Sequence, residues 1–203
     1  MSFSLAYYVA VPRGSKAKRA FLAFLSFLAT FLSLSMGAFI SVMVQLALLI
    51  WDRITRHIAN RWMILVWLGV ACYVTLDLLS NRTPFHLVVD YLTFNSGNAY
   101  NRIMIFIETQ DDIWGNPLFG IGLNEWTRPS YMSSSVDNFW LLQALRYGLP
   151  AFILISLATY FNFRLIGRAG GLDEEESMAQ RAILITLAGT AFSLCTVHLW
   201  NNS

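Results

Sequence analysis

The sequence predicts an all-α integral membrane protein: about five transmembrane helices and one long outer-face, periplasmic loop carrying a short amphipathic helix. Three observations predict it. Of the 203 residues, 56% are hydrophobic and only 13% are charged, a balance foreign to a soluble domain of this size. The apolar residues fall in long runs bounded by charged or turn-forming residues. Basic residues cluster at the ends of those runs, as topology-setting charges do. The net charge of +2 is too small to imply a nucleic-acid partner, and none is expected.

The chain divides into N-terminal membrane helices (1–79), a periplasmic loop (80–138) and C-terminal membrane helices (139–203). Residues 1–11 are apolar but short, their charges follow them, and no small-residue cleavage site is present. They read as the tail of a span rather than a signal peptide. The cluster Arg13, Lys16, Lys18 and Arg19 belongs in the cytoplasm. Residues 20–51 form an apolar run that, at ~1.5 Å per residue, overshoots a ~30 Å hydrocarbon core. A break is therefore expected at Ser33-Leu-Ser-Met-Gly37, the polar, glycine-containing patch of the run. A hairpin there returns Arg53, Arg56 and Arg61 to the cytoplasm, and its short arms imply a tip that dips below the outer surface into a protein-lined cavity.

Residues 62–79 make the next span, outward. The segment 80–137 is too long for a simple connection and balances Arg82, Arg102 and Arg128 against six carboxylates, including Asp90, Glu108 and Glu125. Within it, residues 99–113 place Ile103, Phe106 and Ile107 on one face, the pattern of a helix lying on a surface. Residues 138–164 return inward, 170–176 form an acidic cytoplasmic turn, and 181–200 cross outward again.

Several chemistries are set aside. Gly120-Ile-Gly122 lacks the third glycine and flanking strand of a dinucleotide fingerprint. Cys72 and Cys195 lie in apolar runs without a CxxC pattern and are expected as packed thiols, not a disulfide or metal site. Glu108, Asp111 and Asp112 read as solvated acids on a helix face, so no metal and no other cofactor is expected.

The segment 116–138, NPLFGIGLNEWTRPSYMSSSVDN, is the candidate active-site loop. LSMGA at 34–38, YNR at 100–102, NPLFGIGL at 116–123, SVDN at 135–138 and YGLP at 147–150 together resemble the C-terminal half of the O-antigen ligase and polymerase family, including exopolysaccharide polymerases. The resemblance runs over roughly residues 20–200. It implies a multi-pass protein of the bacterial inner membrane. Such a protein transfers a glycan from an undecaprenyl-diphosphate-linked donor to an acceptor sugar, without a metal. Members are longer, so the chain is expected to be a C-terminal portion. Two positions depart from the family pattern: Met36 stands where many members have arginine, and Asp137 where ligases have histidine.

By family position, Arg102 is the expected catalytic contact to the diphosphate, whose negative charge grows as the glycosidic bond breaks. Arg146, with Asn138 and Gln143 on one side of a helix, is the second arginine of the substrate site. Asp137 is the expected base for the attacking hydroxyl, with His86 and His198 as substitutes. Gly120 and Gly122 shape the binding loop, and Trp126 and Tyr131 are the aromatics expected against a sugar. Structural alternatives fit the same residues: a snorkelling Arg102, an Arg146–Asp77 ion pair, a helix N-cap at Ser135, Asp137 or Asn138, and interfacial aromatics. Expected partners are a lipid-linked oligosaccharide donor, a glycan acceptor, membrane lipids and other polysaccharide assembly proteins. The competing class is non-catalytic, a relic or an accessory subunit that binds lipid-linked glycan or a partner protein. A transporter is weakened by the scarcity of ionisable residues within spans.

Overall fold

The long apolar run 20–51 is divided between two helices rather than carried by one. The computed structural model describes residues 2–11, 14–32, 36–79, 96–132 and 134–195. Among them lie helices α1 (Ser2–Ala10), α2 (Lys16–Leu32), α3 (Met36–Ile54), α4 (Arg61–Leu79), α5 (Ser96–Gly115), α6 (Phe139–Arg168) and α7 (Glu174–Ser193), and no strand. The expected break falls between α2 and α3, but its tip, Ser33 to Ser35, lies outside the described residues, as do Arg13, Arg82, His86, Asp90 and His198.

Among the described residues, three helices are long and apolar enough to cross a membrane: α3 from Gly37, α4 and α6. α2 is short at 17 residues, and α7 opens on Glu174, Glu175 and Glu176 with Arg181 two turns in. The last expected crossing, 181–200, runs past the described residues. α4 buries none of its residues, and Leu78 and Leu79 are 79% and 82% exposed. A helix that is apolar all round and turned outward on every side needs lipid as its solvent. Cys72 lies on this outward surface and Cys195 is exposed too, which corrects the expectation of packed thiols.

α1, α3 and α7 pack on one another through small residues. Ala6, Ala182 and Ile185 are buried together, with Tyr7, Ala10, Leu48 and Leu49 around them. Gly189 lies so close to α3 that a Cβ there would stand 2.8 Å from Gln45 Cγ and 2.9 Å from the Ser41 carbonyl oxygen. Close backbone approach of this kind is how helices associate where lipid removes the hydrophobic drive. Gln45, wholly buried, donates through Nε2 to Ser41 Oγ at 3.1 Å.

α7 begins with a capping box: Glu176 N–H donates to Asp173 Oδ1 at 2.7 Å, and Asp173 N–H to Glu176 Oε2 at 3.1 Å. It runs antiparallel to α6 and is tied to it at both ends. Gln180 Nε2 donates to the Ile166 carbonyl, while at the far end Phe139 N–H donates to Leu194 O at 2.9 Å and Trp140 Nε1 to Ala191 O at 3.1 Å. One pole of the pair therefore carries the loop. The other carries the basic termini of α2, α3, α4 and α6.

Candidate functional site

α6 contains a break, and the loop fits into it. Pro150 has no N–H to give the Arg146 carbonyl four residues back, and Gly148 takes φ 79° and ψ 175°, outside helical space. The carbonyls of Leu145 and Arg146 thereby lose their intrahelical donors. The loop replaces them: Ile121 N–H donates to Leu145 O and Gly122 N–H to Arg146 O, both at 2.9 Å. Leu149 N–H, which an unbroken helix would give to Leu145 O, donates to Pro117 O at 2.8 Å instead. Loop and helix complete each other's backbone hydrogen bonding.

The glycines make this approach possible. Gly120 and Gly122 both have φ +66°, a conformation that costs other residues about 1–2 kcal/mol. A Cβ on Gly120 would stand 2.5 Å from the Leu145 carbonyl oxygen, and one on Gly148 2.6 Å from the Leu118 carbonyl oxygen, whereas one on Gly122 would meet nothing within 4 Å. The N–H groups of Gly120, Ile121 and Gly122 donate to Asn116, Leu145 and Arg146 carbonyls respectively. These three amides dock the loop and are not presented to a phosphate.

Beneath the loop lies a buried cluster of Ile105, Ile113, Trp126, Val136, Ala144 and Leu145. Trp126 is only 6% exposed and donates through Nε1 to the Ser134 carbonyl at 3.0 Å, so its ring faces are packed against protein. Tyr131, by contrast, is 73% exposed. On α5 the buried stripe is Ile105, Thr109 and Ile113, while Ile107 of the expected face is exposed. α5 packs against α6 and the loop, not on a membrane surface alone, and this shifts the face that is covered. Asp112 on α5 accepts from Thr127 N–H at 2.7 Å and Thr127 Oγ1 at 2.9 Å, pinning the loop by charge-assisted bonds rather than resting in solvent.

Arg146, half-buried beside the break, donates through one terminal nitrogen to the Gly122 carbonyl at 3.3 Å. Among the described residues no ion pair joins it to Asp77. Its remaining guanidinium N–H groups are available to an anion. Arg102 is half-buried on α5, one turn before Ile105, and Arg146 follows Leu145 in sequence, each next along its helix to a member of that buried cluster. The N-cap of α6 is Asn138, whose side-chain oxygen accepts from Leu141 N–H at 3.1 Å. Asp137, half-buried, accepts from Ser135 Oγ at 3.2 Å. Gly120, Gly122 and Arg146 are thus in direct contact, Asp137 and Asn138 are neighbours at the head of the same helix, and Trp126 is structural support.

Sequence reading missed the parts played by Gly148, Pro150 and Asp112. Glycine two residues before proline inside an apolar run was the available signal for a broken helix.

Comparison with known families adds one finding. The sequence model of the family described as O-antigen ligase matches residues 21–156, which include α5, the loop and the break in α6, and it stops short of the 200 expected from the resemblance. Comparison with the curated proteins and with the solved structures found no match.

Proposed function

We propose, from the premise that the chain belongs to the O-antigen ligase family, that it joins glycans at the outer face of the bacterial inner membrane. The donor in this reading is an oligosaccharide on undecaprenyl diphosphate, and the acceptor is a sugar of a growing exopolysaccharide or O-antigen. An acceptor hydroxyl oxygen attacks the anomeric carbon, the bond from that carbon to the diphosphate oxygen breaks, and the electron pair leaves with the diphosphate lipid. The hydroxyl proton passes to Asp137. Arg146 and Arg102 neutralise the charge that develops on the leaving diphosphate, an interaction stronger in the transition state than in the ground state. Tyr131 offers a stacking face to a sugar, and Asn138 holds the start of α6 in place beside Asp137.

The observation that carries this reading is the junction at the break in α6. It sets Arg146 against the Gly122 carbonyl with most of its donors unused, on a helix rather than a free loop. Charge supports the orientation in this reading: Lys16, Lys18, Arg19, Arg53, Arg56, Arg164 and Arg168 belong to helix ends away from the loop, and basic clusters favour the cytoplasmic side.

The test is the length distribution of surface and secreted polysaccharide on gels, in the native host, with Arg146→Ala, Arg102→Ala or Asp137→Ala at normal protein abundance. Loss of a transition-state donor lowers turnover by roughly 10²–10³, so long chains are expected to vanish and lipid-linked units to accumulate. The accessory reading is favoured by Met36 at a position where arginine is common in the family. It prevails if gene deletion changes the ladder while all three variants leave it intact.

A further inference from the structure

At the pole opposite the loop, a cavity of about 340 Å³ opens among α1, α3, α4 and α7. Its charged lining is Arg53, Arg56, Arg61 and Arg181 against Asp52 and Glu174, four guanidinium groups to two carboxylates. Asp52 lies 2.7 Å from Arg61 and 3.9 Å from Arg181. Arg53 and Arg56 are exposed and make no ion pair among the described residues. The buried Nε of Arg61 and the buried Oδ1 of Asp52 both lack a hydrogen-bond partner, and unmet polar groups are costly when buried. The cavity therefore carries cationic capacity that the protein does not itself neutralise.

A second cavity, about 370 Å³, adjoins the first. Leu48, Trp62, Leu65, Val66, Phe163 and Leu184 line it, and Arg181 and Ile185 belong to both linings. It runs between α4, which buries no residue, and the rest of the bundle. A cationic compartment continuous with an apolar one has the polarity of an amphiphile. Free phosphate would use only the first compartment, and an uncharged lipid only the second.

We propose that the two compartments form one site for an anionic phospholipid, with its headgroup phosphate on Arg53, Arg56 and Arg61 and an acyl chain in the groove beside Trp62 and Leu184. Basic pockets between membrane helices at the cytoplasmic side recognise such headgroups through the same charge complementarity. The site shares no residue with the loop junction and does not depend on the proposed glycan chemistry.

The test is native mass spectrometry of the full chain released from nanodiscs of phosphatidylglycerol, phosphatidylcholine or a mixture. The wild type is expected to retain one phosphatidylglycerol in preference to phosphatidylcholine, undisturbed by millimolar inorganic phosphate. Arg53→Ala with Arg56→Ala weakens that binding about 30-fold, from the usual worth of two basic residues near an anionic surface, and the double Lys variant restores most of it. Leu184→Trp, which fills the groove, also weakens it. Equal retention of both lipids, or an alanine pair indistinguishable from wild type, overturns the proposal. Displacement by inorganic phosphate with no effect of Leu184→Trp overturns it too, and reduces the site to one for a free anion. Helical circular dichroism and elution volume of each variant separate lost binding from lost folding.

Discussion

The two poles of the α6–α7 pair are assembled by opposite means. At the loop pole, backbone groups meet backbone groups: Ile121 and Gly122 amides on Leu145 and Arg146 carbonyls, and the Leu149 amide on Pro117. At the basic pole, side chains do the joining, through the Gln180 amide on the end of α6 and Asp52 between Arg61 and Arg181. A junction made of backbone is indifferent to most side chains but admits no Cβ where chains touch. One made of side chains is indifferent to small backbone shifts but fails when a charge is removed. The family match, residues 21–156, covers the backbone-built pole and also takes in Asp52 and Arg61 of the basic pole, ending within α6.

The largest expected effect breaks the loop junction. Gly120→Ala and Gly148→Ala each force a Cβ against backbone atoms at 2.5–2.6 Å and strain a positive φ, for a combined cost of about 2–4 kcal/mol. Gly122→Ala has the same φ strain but open space, and costs only about 1 kcal/mol. Thermal unfolding in a single detergent separates the two classes. Equal losses at Gly120 and Gly122 would mean that the loop does not rest against α6 as described.

Charge tests the other pole. Asp52 and Arg61 side chains are 18% and 14% exposed, so Asp52→Asn leaves two arginines facing each other across a largely buried space. Removing one partner of such a pair costs several kcal/mol when burial is complete, and here solvent access reduces that to about 2 kcal/mol. The loss is expected in the same detergent series and should shrink in high salt, where the freed guanidinium groups are screened. Salt is not expected to rescue Gly120→Ala. That difference sharpens the contrast between a steric and an electrostatic failure.

Which parts were legible follows from the same contrast. The membrane class, the division of residues 20–51, α4 and the amphipathic nature of α5 were all readable, because apolar runs and their periodicity are local properties of the chain. The crossing count is not settled in the same way: three helices among the described residues are long and apolar enough to span, and the last expected crossing, 181–200, runs past them. PLFGIGL was recognised as a glycine turn, but its partner was not. A carbonyl orphaned by Pro150, that of Arg146, is visible in sequence, whereas the amide that satisfies it, that of Gly122, lies 24 residues away. Trp126 was expected against a sugar because aromatic residues in a polar loop look exposed, and only packing reveals that its ring supports the loop from beneath. Asn138, not Asp137, proved to be the cap, a choice between adjacent residues that backbone angles decide and composition does not.

The smallest effect probes how the loop pole combines both strategies. Asp112 is the one carboxylate described here as tying α5 to the loop, through two bonds to a single residue, Thr127. Asp112→Asn keeps one carbonyl oxygen for one of those donors, but its amide group cannot accept from the other and the charge assistance is lost. A cost of about 1 kcal/mol follows, the usual worth of one hydrogen bond. If the backbone ladder alone positions the loop, this variant lowers the unfolding temperature slightly while polysaccharide length stays as in wild type. If chain length falls as far as with Arg146→Ala, Asp112 sets the position of the loop as much as the ladder does, and the backbone-built description of this pole gives way to a mixed one.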